Sequence, residues 1–211
     1  MPEAAARHAM VRLAPASWRA LLAGRPDVDG LPLVAAWAER GWPLVVRRPL
    51  CGETGLALGL PLPPALGKRR LSFSVEPSAV VSIEPPPRLA DTVPVAPAAW
   101  GPTLHRLLAL DPETRTFGSL AWQHLTGLPY LSPTSDIDLL WRLDGSAERL
   151  LAGLAAIDRD APMRLDGECI GPGGGAVQWR ELAGDAPEIM VKSLRDVALV
   201  SRAALLSDAG C

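Results

Sequence analysis

From Glu84 to Pro102 the chain reads EPPPRLADTVPVAPAAWGP. Each proline removes a backbone donor and biases the preceding residue toward an extended conformation, so no helix interior or central strand is expected to run through this stretch. The chain is therefore expected to divide here: an N-terminal module over residues 1–85, a proline-rich surface linker over 86–102, and a C-terminal domain over 103–211. The 211 residues, 48% of them apolar and 21% charged, give material for a buried core.

Hydrophobic periodicity sketches an α+β chain. In the N-terminal module, Ser17 to Leu22 and Leu31 to Arg40 read as short helices, and Pro43 to Arg48, Gly55 to Leu60 and Arg70 to Val75 as strands. Beyond the prolines, Thr103 to Leu110 and Ser119 to Leu128 read as helices, followed by a strand over Ser135 to Leu140. Ser146 is the expected N-cap of a helix reaching Ile157, which stacks Leu150, Leu151, Leu154 and Ile157 on one face. Extended runs Met163 to Ile170 and Ala176 to Glu181 flank GPGGG as a hairpin, and Glu188 to Lys192 reads as a further strand.

Charge and cysteine usage exclude several classes. A net charge of −2 and a pI near 5.9 give no basic field of the kind nucleic-acid binders use. Cys51, Cys169 and Cys211 are an odd, scattered set without CxxC or zinc-ligand spacing, as suits a reducing cytosol. No window approaches the roughly 18 apolar residues of a membrane span, so a cytoplasmic protein with no membrane partner is expected. No GxSxG elbow supports a serine hydrolase. His8, His105 and His124 show no ligand or catalytic spacing in the sequence and are expected to be structural.

The chemistry concentrates in FGSLAWQHLTGLPYLSPTSDIDLL, Phe117 to Leu140. In a strand, residues two apart share a face, so Asp136 and Asp138 are expected to converge while Ile137 and Leu139 turn to the core. Two carboxylates so close repel, and a hard divalent cation, Mg²⁺ or Mn²⁺, resolves the conflict by taking carboxylate and phosphate oxygens together. Upstream, Gly118 permits close backbone approach, and Ser119 at a helix start offers a hydroxyl and N–H groups to an anion. Arg115 stands just before that turn, and Lys192 near the end of a strand; both are candidate phosphate contacts. Arg47-Arg48 and Lys68-Arg69-Arg70 are basic clusters for which a solvated face competes with phosphate binding. Trp122 and Trp179 are expected in the core.

Gly-Ser at a helix start, a helix, then D-x-D on the next strand resembles the nucleotidyltransferase superfamily, the polymerase-β type of fold. That resemblance implies a third acidic ligand on a later strand, where RLDGE offers Asp166 and Glu168, with Asp166 favoured. More narrowly, RHAMVRL, PLVVRRP, LALGLPLPP with GKRR, the Phe117 to Leu140 stretch, RLDGE, VQWREL and VKS together resemble malonate decarboxylase holo-acyl-carrier-protein synthases, the phosphoribosyl-dephospho-CoA transferases. The resemblance implies an enzyme of the nucleotidyltransferase class with Asp136 and Asp138 as catalytic residues. Its implied donor is 2′-(5″-triphosphoribosyl)-3′-dephospho-CoA, its acceptor a serine of the acyl-carrier subunit of malonate decarboxylase, and its by-product pyrophosphate. Adenylylation of a protein or small molecule from ATP, and a non-catalytic binding module on the same fold, are the competing readings.

Overall fold

The structure, a computed structural model, describes residues 6–145 and 147–208. Ser146, the expected N-cap, and Cys211 lie outside the described residues. The chain divides into two compact units that meet at Pro85 and Pro86.

The first unit contains β1 (Met10–Leu13), α1 (Pro15–Leu22), α2 (Pro32–Ala35), β2 (Leu44–Val46), β3 (Leu56–Pro61), β4 (Arg70–Val75) and β5 (Val80–Glu84). Its five strands form an antiparallel sheet in the order β4-β3-β2-β1-β5. In β4, buried Leu71, Phe73 and Val75 alternate with exposed Arg70, Ser72 and Ser74, the period-two pattern of a strand with one wet face. Proline at the first helical position starts α1, where a missing N–H costs nothing. Trp18 of that helix is fully buried, meets Phe73 edge-on at 4.9 Å, and donates its indole N–H to the Val34 carbonyl at 2.8 Å.

Three differences from the sequence reading stand out in this unit. The expected helix over Leu31 to Arg40 is α-helical only over Pro32–Ala35. Tight i+3 turns replace it, Trp37 N–H to Val34 O and Gly41 N–H to Ala38 O, while the Trp37 indole reaches the Pro43 carbonyl at 2.9 Å. Strands β1 and β5 were not expected, because each is short and carries a charged residue; burial against neighbouring strands, not periodicity, makes β1 a strand. Arg47, a candidate phosphate ligand by sequence, instead spends its guanidinium internally, donating to the Glu53 carboxylate at 2.8 Å and to the Leu58 carbonyl at 3.1 Å.

The second unit runs through α3 (Leu89–Thr92), α4 (Gly101–Leu110), β6 (Arg115–Phe117), α5 (Gly118–Thr126), β7 (Ile137–Arg142), α6 (Ala147–Asp158), β8 (Leu165–Ile170), β9 (Ala176–Gln178), α7 (Trp179–Ala183), β10 (Glu188–Lys192), β11 (Val197–Ser201) and α8 (Arg202–Asp208). Six strands lie in the order β11-β10-β9-β8-β7-β6, with β7 and β8 parallel and joined by the α6 crossover. The other pairs are antiparallel. Ile137, Leu139 and Trp141 of β7 and Leu165 and Cys169 of β8 bury one face of the sheet against Leu104 and Leu107 of α4, Leu150, Leu154 and Ile157 of α6, and Leu182 of α7. Burial pushes the Cys169 thiol up to about 12.

The proline-rich stretch 86–102 is not a surface linker. Leu89 is fully buried and Trp100 nearly so, both within the core of the second unit. Proline lacks only the donor: the Pro87 carbonyl accepts the Thr116 N–H at 3.0 Å, and the Leu89 N–H reaches Thr114 O at 2.8 Å, so the segment lies alongside β6 as an added edge. The extended run expected over Ala176 to Glu181 also ends early, at Gln178, where α7 begins. The GPGGG hairpin is present, closed by Gly171 N–H to Gly175 O at 2.9 Å. Among the described residues, no helix is long and apolar enough to cross a membrane.

Candidate active site

The parallel register of β7 and β8 places Asp138 opposite Asp166. Paired residues project to the same face, so the two carboxylates emerge side by side on the face away from the helical core. Asp136 precedes the first residue of β7, where Ile137 N–H bonds the Arg164 carbonyl at 3.0 Å. One oxygen from each of Asp136, Asp138 and Asp166 lies within 4.8 Å of the others, and all three residues are half-buried. A hydroxyl-rich turn leads the chain into this cluster: Ser132 N–H donates to Ser135 Oγ at 2.9 Å, and Ser135 N–H to Ser132 O at 3.0 Å.

Glu168 sits two residues beyond Asp166, opposite Leu140, and is not part of the cluster. A two-residue step along a strand is about 6.6 Å, enough to remove it from the two aspartates that Asp166 joins. Asp166 Oδ1 accepts the Gly167 N–H at 2.9 Å and Gln178 Nε2–H at 3.0 Å.

Opposite the cluster, β6 hands over to α5. Phe117 pairs with Asp138, and Gly118, the first residue of α5, has φ +62°, a conformation that glycine adopts without strain. A Cβ at Gly118 would overlap Asp138 Oδ2 and stand 2.6 Å from Cγ. The helix start thus lies directly against a carboxylate, and its partial positive charge offsets part of the repulsion among the three acids. The N-cap residue Phe117 makes no side-chain cap hydrogen bond, and the first turn of α5 carries Ser119.

The two expected cationic contacts are placed differently. Arg115, opposite Leu140, shares the face of Asp138 and donates to the Pro86 carbonyl at 2.5 Å. Burial, with repulsion from Arg88, holds its guanidinium below the ordinary arginine value. Lys192 shares the face too, but its register runs through Ala176 to Ile170, four residues along β8 from Asp166 and two strands over. That is about 13 Å along the strand direction alone, so the sheet does not bring Lys192 to the cluster.

The rest of the Phe117 to Leu140 wording is structural. Gln123 donates from Nε2 to Val95 O at 2.9 Å and accepts at Oε1 from the Tyr130 and Leu131 N–H groups at 3.2 and 3.1 Å. Gly127 ends α5 in the left-handed conformation. The segment after it therefore folds back against the helix, stacking Tyr130 near Trp122 with ring centres 6.1 Å apart. Trp122 and Trp179 are both buried.

Comparison with known families bears on what such a site serves. Residues 6–86 match the model of the phosphoribosyl-dephospho-CoA transferase MdcG N-terminal domain, and residues 88–203 match that of the MdcG C-terminal domain. The chain belongs to the phosphoribosyl-dephospho-CoA transferase family. It is accordingly a transferase enzyme. A phosphoribosyl-dephospho-CoA transferase of Bradyrhizobium diazoefficiens is 47% identical over 210 residues, 96% of this chain and 93% of the relative. One from Xanthomonas campestris pv. campestris is 39% identical over 213 residues, covering 97% and 98%, and one from Pseudomonas putida is 31% identical over 192 residues, covering 81% and 87%. No solved structure matches. In this transferase the Asp136, Asp138 and Asp166 cluster and the Gly118 turn all fall inside the segment matched as the C-terminal domain.

Proposed function

We propose that this chain transfers the phosphoribosyl-dephospho-CoA part of 2′-(5″-triphosphoribosyl)-3′-dephospho-CoA to a serine hydroxyl of the acyl-carrier subunit of malonate decarboxylase, at a site of the nucleotidyltransferase type. The serine hydroxyl gives up its proton to solvent as its oxygen bonds to the α-phosphorus, the bond from that phosphorus to the β-phosphate oxygen breaks, and pyrophosphate leaves. The observation that carries the reading is the convergence of three carboxylates across a parallel strand pair, facing a glycine-started helix.

The donor set fits Mg²⁺ or Mn²⁺: three hard oxygen ligands within 4.8 Å, carrying three negative charges that need neutralising. Asp136, Asp138 and Asp166 would hold the cation, which supplies charge neutralisation to the triphosphate. The chain's own groups supply positioning. Gly118 lets the Asp138 carboxylate pack directly against the helix start, Ser119 and the first-turn N–H groups of α5 receive phosphate oxygens, and the remaining donors of Arg115 add charge on the same face. Lys192, further along that face, is assigned to a more distal phosphate of the elongated donor.

Incubating the protein with apo-carrier, Mg²⁺ and the triphosphoribosyl donor tests this reading. A carrier mass gain equal to the phosphoribosyl-dephospho-CoA group, with one pyrophosphate per carrier, is expected. Labelling from ATP instead would establish adenylylation, and no labelling from either would leave a binding module.

A further inference from the structure

Gln178 ends β9 and opens α7 within the VQWREL run. Its Oε1 accepts the backbone N–H groups of Arg180 and Glu181 at 2.5 and 3.3 Å, capping the helix. Two backbone donors at one end of the amide settle which end is oxygen. The other end is therefore the NH₂ group, and it donates to Asp166 Oδ1 at 3.0 Å.

The frame behind this amide is anchored on every side. Trp179 donates its indole N–H to the Leu165 carbonyl at 3.3 Å, Arg180 pairs with Asp158 at 2.8 Å, and Glu181 accepts the Met190 N–H at 2.6 Å. Leu182 is fully buried, and its carbonyl takes the Arg202 Nε–H at 2.7 Å. The short helix thus binds strands β8 and β10 together and presents one neutral donor to the carboxylate.

We propose that Gln178 is a positioning residue: its amide fixes the rotation of the Asp166 carboxyl so that the lone pairs of the second oxygen remain for the cluster with Asp136 and Asp138. This rests on the cation-site reading above. Glutamine suits the task because it orients the carboxylate without cancelling its charge, as a lysine or arginine would; outer-shell partners of this kind typically change cation affinity 10–100-fold when removed.

Calorimetric titration of Mn²⁺ into the cation-free full-length protein separates positioning from capping. Wild type is expected to bind, Asp138→Asn to lose binding, and Gln178→Leu to bind about 10-fold more weakly. A role confined to the helix cap lowers the melting temperature but leaves the affinity of the folded protein alone, so equal affinities for wild type and Gln178→Leu overturn the inference. Gln178→Glu keeps an oxygen acceptor for both cap hydrogen bonds and serves if the leucine variant does not fold. It sets a further carboxylate beside Asp166 and should melt below wild type in EDTA, yet remain folded and lose about 10-fold in kcat at saturating Mn²⁺ with the donor KM little changed; an unchanged kcat overturns the inference equally. Absence of Mn²⁺ binding by wild type would defeat the underlying cation-site reading and this inference with it.

Discussion

The carboxylate of Asp138 rests against the Cα of Gly118, where β6 turns into α5, so closely that no side chain fits between them. Two demands meet at Gly118: a positive φ and an absent Cβ. Gly118→Ala should therefore cost about 1–2 kcal/mol for the left-handed backbone and displace Asp138, lowering transfer activity by about 100-fold, the scale at which misplaced catalytic groups act. Gly127→Ala is the control, since Gly127 has φ +71° with nothing within 4 Å of a Cβ. It should show a similar loss in urea melts with activity retained; equal activity losses in both variants would contradict the account.

Neutralising one member of the acidic cluster should stabilise the cation-free protein. Asp136→Asn relieves like-charge repulsion at a half-buried site, and its melting temperature in EDTA should rise by about 2 °C, the shift that roughly 0.5–1 kcal/mol produces in a chain this long. Added Mg²⁺ at about 100 times its Kd should raise wild type by the equivalent of about 2.7 kcal/mol and leave the variant nearly unmoved. Differential scanning fluorimetry with and without EDTA reads both effects.

Gly167 holds the register that joins Asp138 to Asp166. A Cβ there would meet Trp141 Cζ3 at 2.6 Å and the Leu139 carbonyl at 2.7 Å. Gly167→Ala is expected to cost about 1–3 kcal/mol by overpacking and, by parting β7 from β8, to weaken Mn²⁺ binding in calorimetry.

In the first unit, the hydrogen bond from Arg47, and then that from the Leu50 N–H, hold the Glu53 carboxyl below its ordinary value of 4.5. A carboxyl depressed by folding contributes stability that is fully present above its unfolded pKa and is lost as pH falls through the folded one. Glu53→Gln should therefore be less stable than wild type near neutral pH, with the gap closing below about pH 4.5. Urea melts across that window check the sign.

Strands β7, β8, β9 and β10 and the acidic pair were legible because period two and turn chemistry are local properties, whereas the strands β6 and β11 were not expected. Spacing alone pointed to convergence of Asp136 and Asp138, although Asp136 stands one residue ahead of β7 and not within it, and the GPGGG hairpin was legible from its composition. Choosing Asp166 over Glu168 was not local: it depends on the β7 and β8 register, which brings Asp138 opposite Asp166. Residues 86–102 misled for a related reason. Proline content reports missing donors, while the Pro86 and Pro87 carbonyls and the buried Leu89 and Trp100 do the packing. Gln178 looked like one more strand residue because a side-chain cap leaves no periodic signal.

The most direct measurement is the intact mass of apo-carrier after incubation with the triphosphoribosyl donor and Mg²⁺, using wild type, Asp136→Asn, Asp138→Asn, Asp166→Asn and Glu168→Gln. Wild type and Glu168→Gln should convert the carrier within a few-fold of each other, while each aspartate variant falls by about 1,000-fold or more, as loss of an essential cation ligand requires. Normal labelling by any of the three aspartate variants would contradict the account.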